Sequence, residues 1–344
     1  MIDIDKNIRP NIRNLKPYSS ARDEFLGDEG IFLDANENPF GKYNRYPDPQ
    51  QKKLKQAIAQ IKQVKPENIF LGNGSDEAID IAYRIFCEPK QHKTLLFTPT
   101  YGMYEVAAAI NNVELVKVDL TDEFQIDMTL AKRWLQDKNL KLIFICSPNN
   151  PTGNVFRKED IDFILKNFNG VVIIDEAYID FSASASYISS ISKYNNLIVI
   201  QTFSKAWAMA GVRVGMAFSN ERIIHYFNKV KPPYNISEPN QRLILEKLKK
   251  IKNFKNEVSD ILKEKNILRK ALEQLKLVKK IYSSDANFLL VEVNGADTIY
   301  AQLVSEKIIV RNRTKVISGC IRITVGTQKE NQQLITALKK INDE

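Results

Sequence analysis

Short, mostly apolar runs recur along the first two-thirds of the chain, and helical patterns separate most of them. The runs are "NIFLG" (68–72), "TLLFT" (94–98), "VELVKV" (113–118), "KLIFIC" (141–146), "VVIID" (171–175), "LIVIQ" (197–201) and "VGMAF" (214–218). Runs of this length read as strands buried on both faces. Ile79, Tyr83 and Phe86 line up on a helix at 76–87. Ile161, Ile164, Leu165 and Phe168 do so at 158–168, and Leu54, Ile58, Ile61 and Val64 at 50–64. Strand–helix alternation implies right-handed crossovers and a mostly parallel central sheet with helices on both faces. After about residue 240 the texture changes to long helices. Three strand candidates follow, "NFLLVEV" (287–293), "KIIVR" (307–311) and "CIRITV" (320–325), then a helix over about 328–342. The expected fold class is α/β, with a large domain around the sheet and a smaller α+β domain. A chain of 344 residues exceeds what one core usually serves. The expected division is 1–45 as an N-terminal arm and small-domain segment, 46–235 as the large domain and 236–344 as the small one.

Composition narrows the partners. No run of 18 apolar residues exists, so no membrane span is expected. The first residues lack the apolar core of a secretory leader. Cys87, Cys146 and Cys320 are scattered through apolar contexts, which fits small core residues in a reducing cytoplasm. The net charge of +9 raises a nucleic-acid partner. Its excess lies in Lys-rich helical stretches such as 241–280, which read as solvated faces, and no nucleic-acid-binding motif accompanies it. His92 and His225 lie outside every motif, so neither a histidine triad nor a metal centre is expected.

Polar motifs follow the strands, where ligands collect in open α/β sheets. "LGNGSDE" (71–77) offers a tight turn and a helix start suited to phosphate. Equally, Ser75 could simply cap that helix. "SPNNPTG" (147–153) is a turn whatever else it does, and Asn150 could belong only to that turn. "IIDEAY" (173–178) ends an apolar strand on Asp175, a costly carboxylate unless paired. "QTFSKAWAMAGVRVG" (201–215) puts Lys205 just past a strand in an apolar setting, with Arg213 eight positions on. A reactive lysine, a strand-end carboxylate, an amide and a phosphate-ready helix start are the parts that pyridoxal 5'-phosphate (PLP) needs. An apolar setting and nearby cations would depress the lysine pKa and free its amine for attack.

Here the chain resembles a known family. "SPNNPTG", "DEAY" and "TFSKAWAMAGVRVG", in that order, are similar to the fold-type I PLP-dependent aminotransferases. "LDANENPFG" (33–41), "RYPDP" (45–49), "GNGSDE" (72–77) and "GCIRITVGT" (319–327) are similar to the histidinol-phosphate aminotransferases among them. The resemblance implies that Lys205 is the Schiff-base lysine and that Asp175 pairs with the pyridine nitrogen. Asn150 and Tyr178 would hydrogen-bond the cofactor's O3′, and Tyr101 would stack on its ring. The Ser75 and Asp76 amides, Thr202, Ser204 and Arg213 would hold the phosphate. Tyr46 would reach it from a partner subunit, which implies a homodimer with shared sites. Arg322, with Arg311 or its competitor Arg313, would bind substrate anions, and Tyr18 and Asn36 would line the same pocket. Trp207 and Met209 depart from the family's pattern, with no loss of chemistry expected. The implied reaction moves an amino group between histidinol phosphate and 2-oxoglutarate, giving imidazole-acetol phosphate and glutamate. An aromatic or general amino-acid aminotransferase, or a threonine-phosphate decarboxylase, is the rival on the same scaffold, because fold does not decide substrate.

Overall fold

The computed structural model describes residues 3–18 and 30–343. Seven strands form the larger sheet: β1 (Ile69–Asn73), β2 (Lys93–Thr98), β3 (Glu114–Asp119), β4 (Leu140–Cys146), β5 (Val171–Asp175), β6 (Leu197–Thr202) and β7 (Val214–Phe218). Their spatial order is β1-β7-β6-β5-β4-β2-β3. Only β7 runs against its neighbours, pairing antiparallel with β1 and β6. The expected mostly parallel sheet is therefore present. Alternate residues feed two cores, as a doubly covered strand requires. Leu95 and Phe97 join one and Leu96 the other; Ile143 and Ile145 join one and Leu142 and Phe144 the other.

A second sheet has four strands, β8 (Val278–Ile281), β9 (Phe288–Val293), β10 (Arg311–Asn312) and β11 (Cys320–Thr324), in the order β10-β11-β9-β8. It is antiparallel throughout. Sequence reasoning missed β8, whose "VKKI" exposes both lysines at the sheet edge. It also overextended "KIIVR": only Arg311 and Asn312 pair, because the strand lies at the opposite edge. The helix expected at 50–64 spans Lys52–Lys62, and Ile61 faces outward at 36% exposure.

The expected boundaries need correction. Residues 4–14 do not pack with the small sheet. Ile4, Ile8 and Ile12 are buried among the helices on the large sheet, and the Arg9 amide donates to the Ile85 carbonyl at 2.9 Å. Residue 236 does not begin a separate core either. Ile236, Ile244, Leu248 and Phe254 are buried with the large sheet, while Leu268 and Leu272, on the same helix (Ile251–Leu272) as Phe254, join the small one. That helix ties both units together. Among the described residues, no helix is long and apolar enough to cross a membrane, and no group of three or more His, Cys, Asp or Glu could hold a metal ion.

Candidate active site

The antiparallel β7 explains why distant motifs meet. Its first residue, Val214, pairs with Asn73 at the end of β1, and Gly215 pairs with Thr202 at the end of β6. The turn after β1, the loop after β6 and Arg213 before β7 therefore share one sheet edge. The helix Ser75–Phe86 starts there, capped by Gly74, and no side chain bonds its first turn as a cap. Ser75 is thus the first helical residue, not the cap. A Cβ on Gly215 would come within 2.2 Å of the Ser75 nitrogen, and one on Gly74 within 2.7 Å of the Arg213 guanidinium. These two glycines let the helix start and the arginine close up. Free helical N–H groups and a guanidinium form an anion cradle.

A cleft of about 1020 Å³ opens at this edge. Ser75, Asp76, Thr202, Ser204 and Arg213 line one end. The Ser204 amide donates to the Thr202 hydroxyl at 3.1 Å, and Arg213 stands 3.7 Å from the Asp76 carboxylate. Tyr101 lines the wall, and its hydroxyl donates to Asp76 at 3.2 Å. Asn150 and Tyr178 also line the cleft, 3.5 Å apart through Nδ2 and the phenol oxygen.

Asp175 ends β5 with 2% exposure. Its carboxylate accepts the Ala177 amide at 3.0 Å and the Tyr104 hydroxyl at 2.7 Å. Burial pushes its pKa up, and those two donors act against that. Lys205 corrects an expectation. Its side chain reaches into the open cleft, with Nζ 5.8 Å from the centre of the Tyr178 ring, and the apolar setting belongs to its neighbours. Ala206 and Trp207 are buried, and Trp207 stacks on Phe254 at 3.9 Å. The cleft walls nevertheless desolvate the Lys205 amine in part, which lowers its pKa; the positive charge of Arg322 lowers it further, and Asp175 and Asp76 oppose the shift.

Arg322 enters from β11 of the small sheet. Arg322 and Thr324 face away from the core that buries Ile321, Ile323 and Val325. Its guanidinium donates to the Asn150 side-chain oxygen and lies 5.2 Å from the centre of the Phe288 ring. Arg311 pairs beside it on β10, and Arg313 follows. Both line the cleft, so the competition between them stays open. Arg313 is half-buried with an unpartnered Nε, and burial, then Arg322 and Arg311, depress its pKa. A cluster of guanidinium groups with no ion-pair partner among the described residues is a site for a multiply charged anion.

Three expected residues do not reach this cleft within the chain. Tyr18 is 72% exposed, Asn36 adopts a left-handed backbone, and Tyr46 stacks on Tyr234 at 4.4 Å. Sequence reasoning passed over Lys117 and Lys315, which line the cleft, and Tyr104, which bonds Asp175 from outside the lining. The only hint for Tyr104 was its spacing of three from Tyr101 in "PTYGMY". An amine, a buried carboxylate, a paired amide and phenol, and an anion cradle lining one cleft together fit PLP.

Comparison with known proteins agrees with this fold. The family model for aminotransferase class I and II matches residues 27–338. The histidinol-phosphate aminotransferase of Parabacteroides distasonis is 52% identical over 99% of both chains. The crystal structure of the Clostridium acetobutylicum histidinol-phosphate aminotransferase is 27% identical, with a TM-score of 0.81 over 88% of this chain and 91% of that one. The Sinorhizobium meliloti histidinol-phosphate aminotransferase, in complex with pyridoxal-5'-phosphate, has a TM-score of 0.80 at 24% identity over 90% of both chains, a likeness of fold.

Proposed function

This chain belongs to the class I and II aminotransferases, and from that premise we propose that it moves an amino group between L-histidinol phosphate and 2-oxoglutarate, giving imidazole-acetol phosphate and glutamate. The carrying observation is one cleft that joins Lys205 and Asp175 to Arg311, Arg313 and Arg322. The match to histidinol-phosphate aminotransferases over nearly the whole chain supports the same substrate.

The cofactor is PLP, which supplies an aldehyde for amines and a ring that accepts electrons. Lys205 would hold it and would supply an amine that takes up or gives a proton at Nζ. Asp175 would favour positive charge at the ring nitrogen. Asn150 and Tyr178 would orient the phenolic edge, and Tyr101 would pack against the ring. Ser75, Asp76, Thr202, Ser204 and Arg213 would hold the phosphate. Arg322, with Arg311 or Arg313, binds the phosphate of one substrate and a carboxylate of the other, since a guanidinium fork suits both anions. The Arg322 bond to Asn150 links this anion site to the cofactor site.

The test compares histidinol phosphate, histidinol, phenylalanine, tyrosine and threonine phosphate as donors, in wild type and Arg322→Lys. Lysine keeps the charge and loses the fork. For Arg322→Lys, kcat/KM on histidinol phosphate is expected to fall roughly 10²-fold, about 3 kcal/mol of transition-state binding. Histidinol is expected to be a poor donor and much less affected. Phenylalanine outperforming histidinol phosphate in wild type would transfer the assignment to an aromatic aminotransferase.

We further propose a homodimer with shared sites, in the cytoplasm. Ile31, Leu33, Phe40 and Tyr43 are 66% to 92% exposed, an apolar density that favours cover by a second copy. Tyr46 lies on this arm and would enter the partner's cleft. Buried, unpaired Cys87, Cys146 and Cys320 support a reducing compartment. Mixing Lys205→Ala with Tyr46→Phe tests the sharing, because one hybrid site then carries both lesions and the other carries neither. Activity above both parents is expected after subunit exchange; no gain after confirmed exchange contradicts shared sites.

A further inference from the structure

We propose that Tyr104 is a positioning residue for the transamination: its buried hydroxyl holds the Asp175 carboxylate in both orientation and charge. The inference rests on the reading that Asp175 faces the pyridine nitrogen of the bound cofactor. Tyr104 has no exposed surface and is not part of the cleft lining, so it acts through Asp175. Its hydroxyl donates to Oδ2 at 2.7 Å, while Oδ1 takes the Ala177 amide at 3.0 Å. Among the described residues these are the two donors to that side chain. A buried carboxylate keeps its charge only where donors or cations offset its desolvation. Tyr104 is the side-chain donor of the pair.

The phenol is also aimed. Its ring stacks on Phe144 at 4.7 Å and 20° and meets Tyr101 edge-on at 5.5 Å. Its backbone carbonyl accepts the Tyr83 hydroxyl at 2.9 Å. These contacts leave the hydroxyl little freedom to turn from Asp175. They also join the carboxylate at the ring nitrogen to the tyrosine at the ring face through one rigid group.

Tyr104→Phe keeps the stack and removes one oxygen. The expected kcat falls about 10- to 100-fold, the scale for a buried charged group that loses one of its donors. KM for histidinol phosphate should stay within about threefold, because no substrate contact is lost. The pH midpoint of the visible absorption band of the bound cofactor should shift in the same direction as in Asp175→Asn. In the Asp175→Asn background, Tyr104→Phe should add less than about twofold, since residues acting through one group are not additive. A tyrosine with only a structural role would lower the melting temperature and leave midpoint and kcat in place; that result, or full additivity, overturns the proposal. If Tyr104→Phe is recovered unfolded, 3-fluorotyrosine in place of Tyr104 serves instead. Its more acidic hydroxyl is a stronger donor, so the midpoint should move opposite to Asp175→Asn, and an unmoved midpoint again overturns the proposal. An Asp175→Asn enzyme with normal transamination sinks the cofactor reading itself. An inactive Asp175→Asn beside a silent Tyr104→Phe sinks only the role of Tyr104.

Discussion

Lys205→Ala is expected to lose at least about 10⁴-fold in kcat, the upper range for removing a positioned acid–base, with loss of the covalent hold on the cofactor added to it. The amine stands in the cleft with Tyr178, Asp175 and Arg322; of the other lysines that line it, Lys117 is paired with Glu105 at 2.8 Å and Lys315 lies with the arginines. Turnover near the wild-type rate would remove Lys205 from the chemistry. The depressed pKa adds a pH signature. An amine attacks only when unprotonated, so PLP capture by the cofactor-free protein should rise with pH. It should level off below the ordinary lysine value of 10.5, because partial burial and Arg322 both disfavour the ammonium. Arg322→Gln removes the repelling charge and should move that plateau to higher pH. A plateau unmoved by Arg322→Gln contradicts the electrostatic link.

Asp175→Asn is expected to bind PLP and to transaminate on the order of 10³-fold more slowly, the scale of a lost charge interaction in a preorganised site. The amide matches the carboxylate in size but cannot hold a positive charge at the ring nitrogen, so the ring accepts electrons poorly. Activity within a few-fold of wild type would mean that Asp175 only ties the end of β5 to the Ala177 amide. Stopped-flow observation of single half-reactions separates the two cases.

The fold was legible because the central strands of the large sheet are buried on both faces. "VVIID" and "VGMAF" mark β5 and β7 to the residue, since every residue of both strands is buried. The edge strands of the small sheet were not: β8 carries two exposed lysines and β10 pairs over two residues, so neither leaves a periodic trace. The meeting of Ser75, Lys205 and Arg213 was inferred from motif order. Its physical cause, the reversal of β7 between β1 and β6, lay outside local sequence. Local reading also chose Ser75 as a cap candidate, whereas Gly74 takes that place with a φ of 76° that favours glycine. Tyr104 escaped because an aromatic in a helical pattern reads as core. It is core, and its one polar atom reaches a carboxylate 71 residues away in sequence.

Borohydride reduction of the PLP-loaded protein, followed by peptide mass mapping, tests the central claim most directly. The visible band should vanish and a pyridoxyl mass should appear on the peptide carrying Lys205. A pyridoxyl mass on Lys315 or any other lysine, or no label on a protein that still transaminates, contradicts the account.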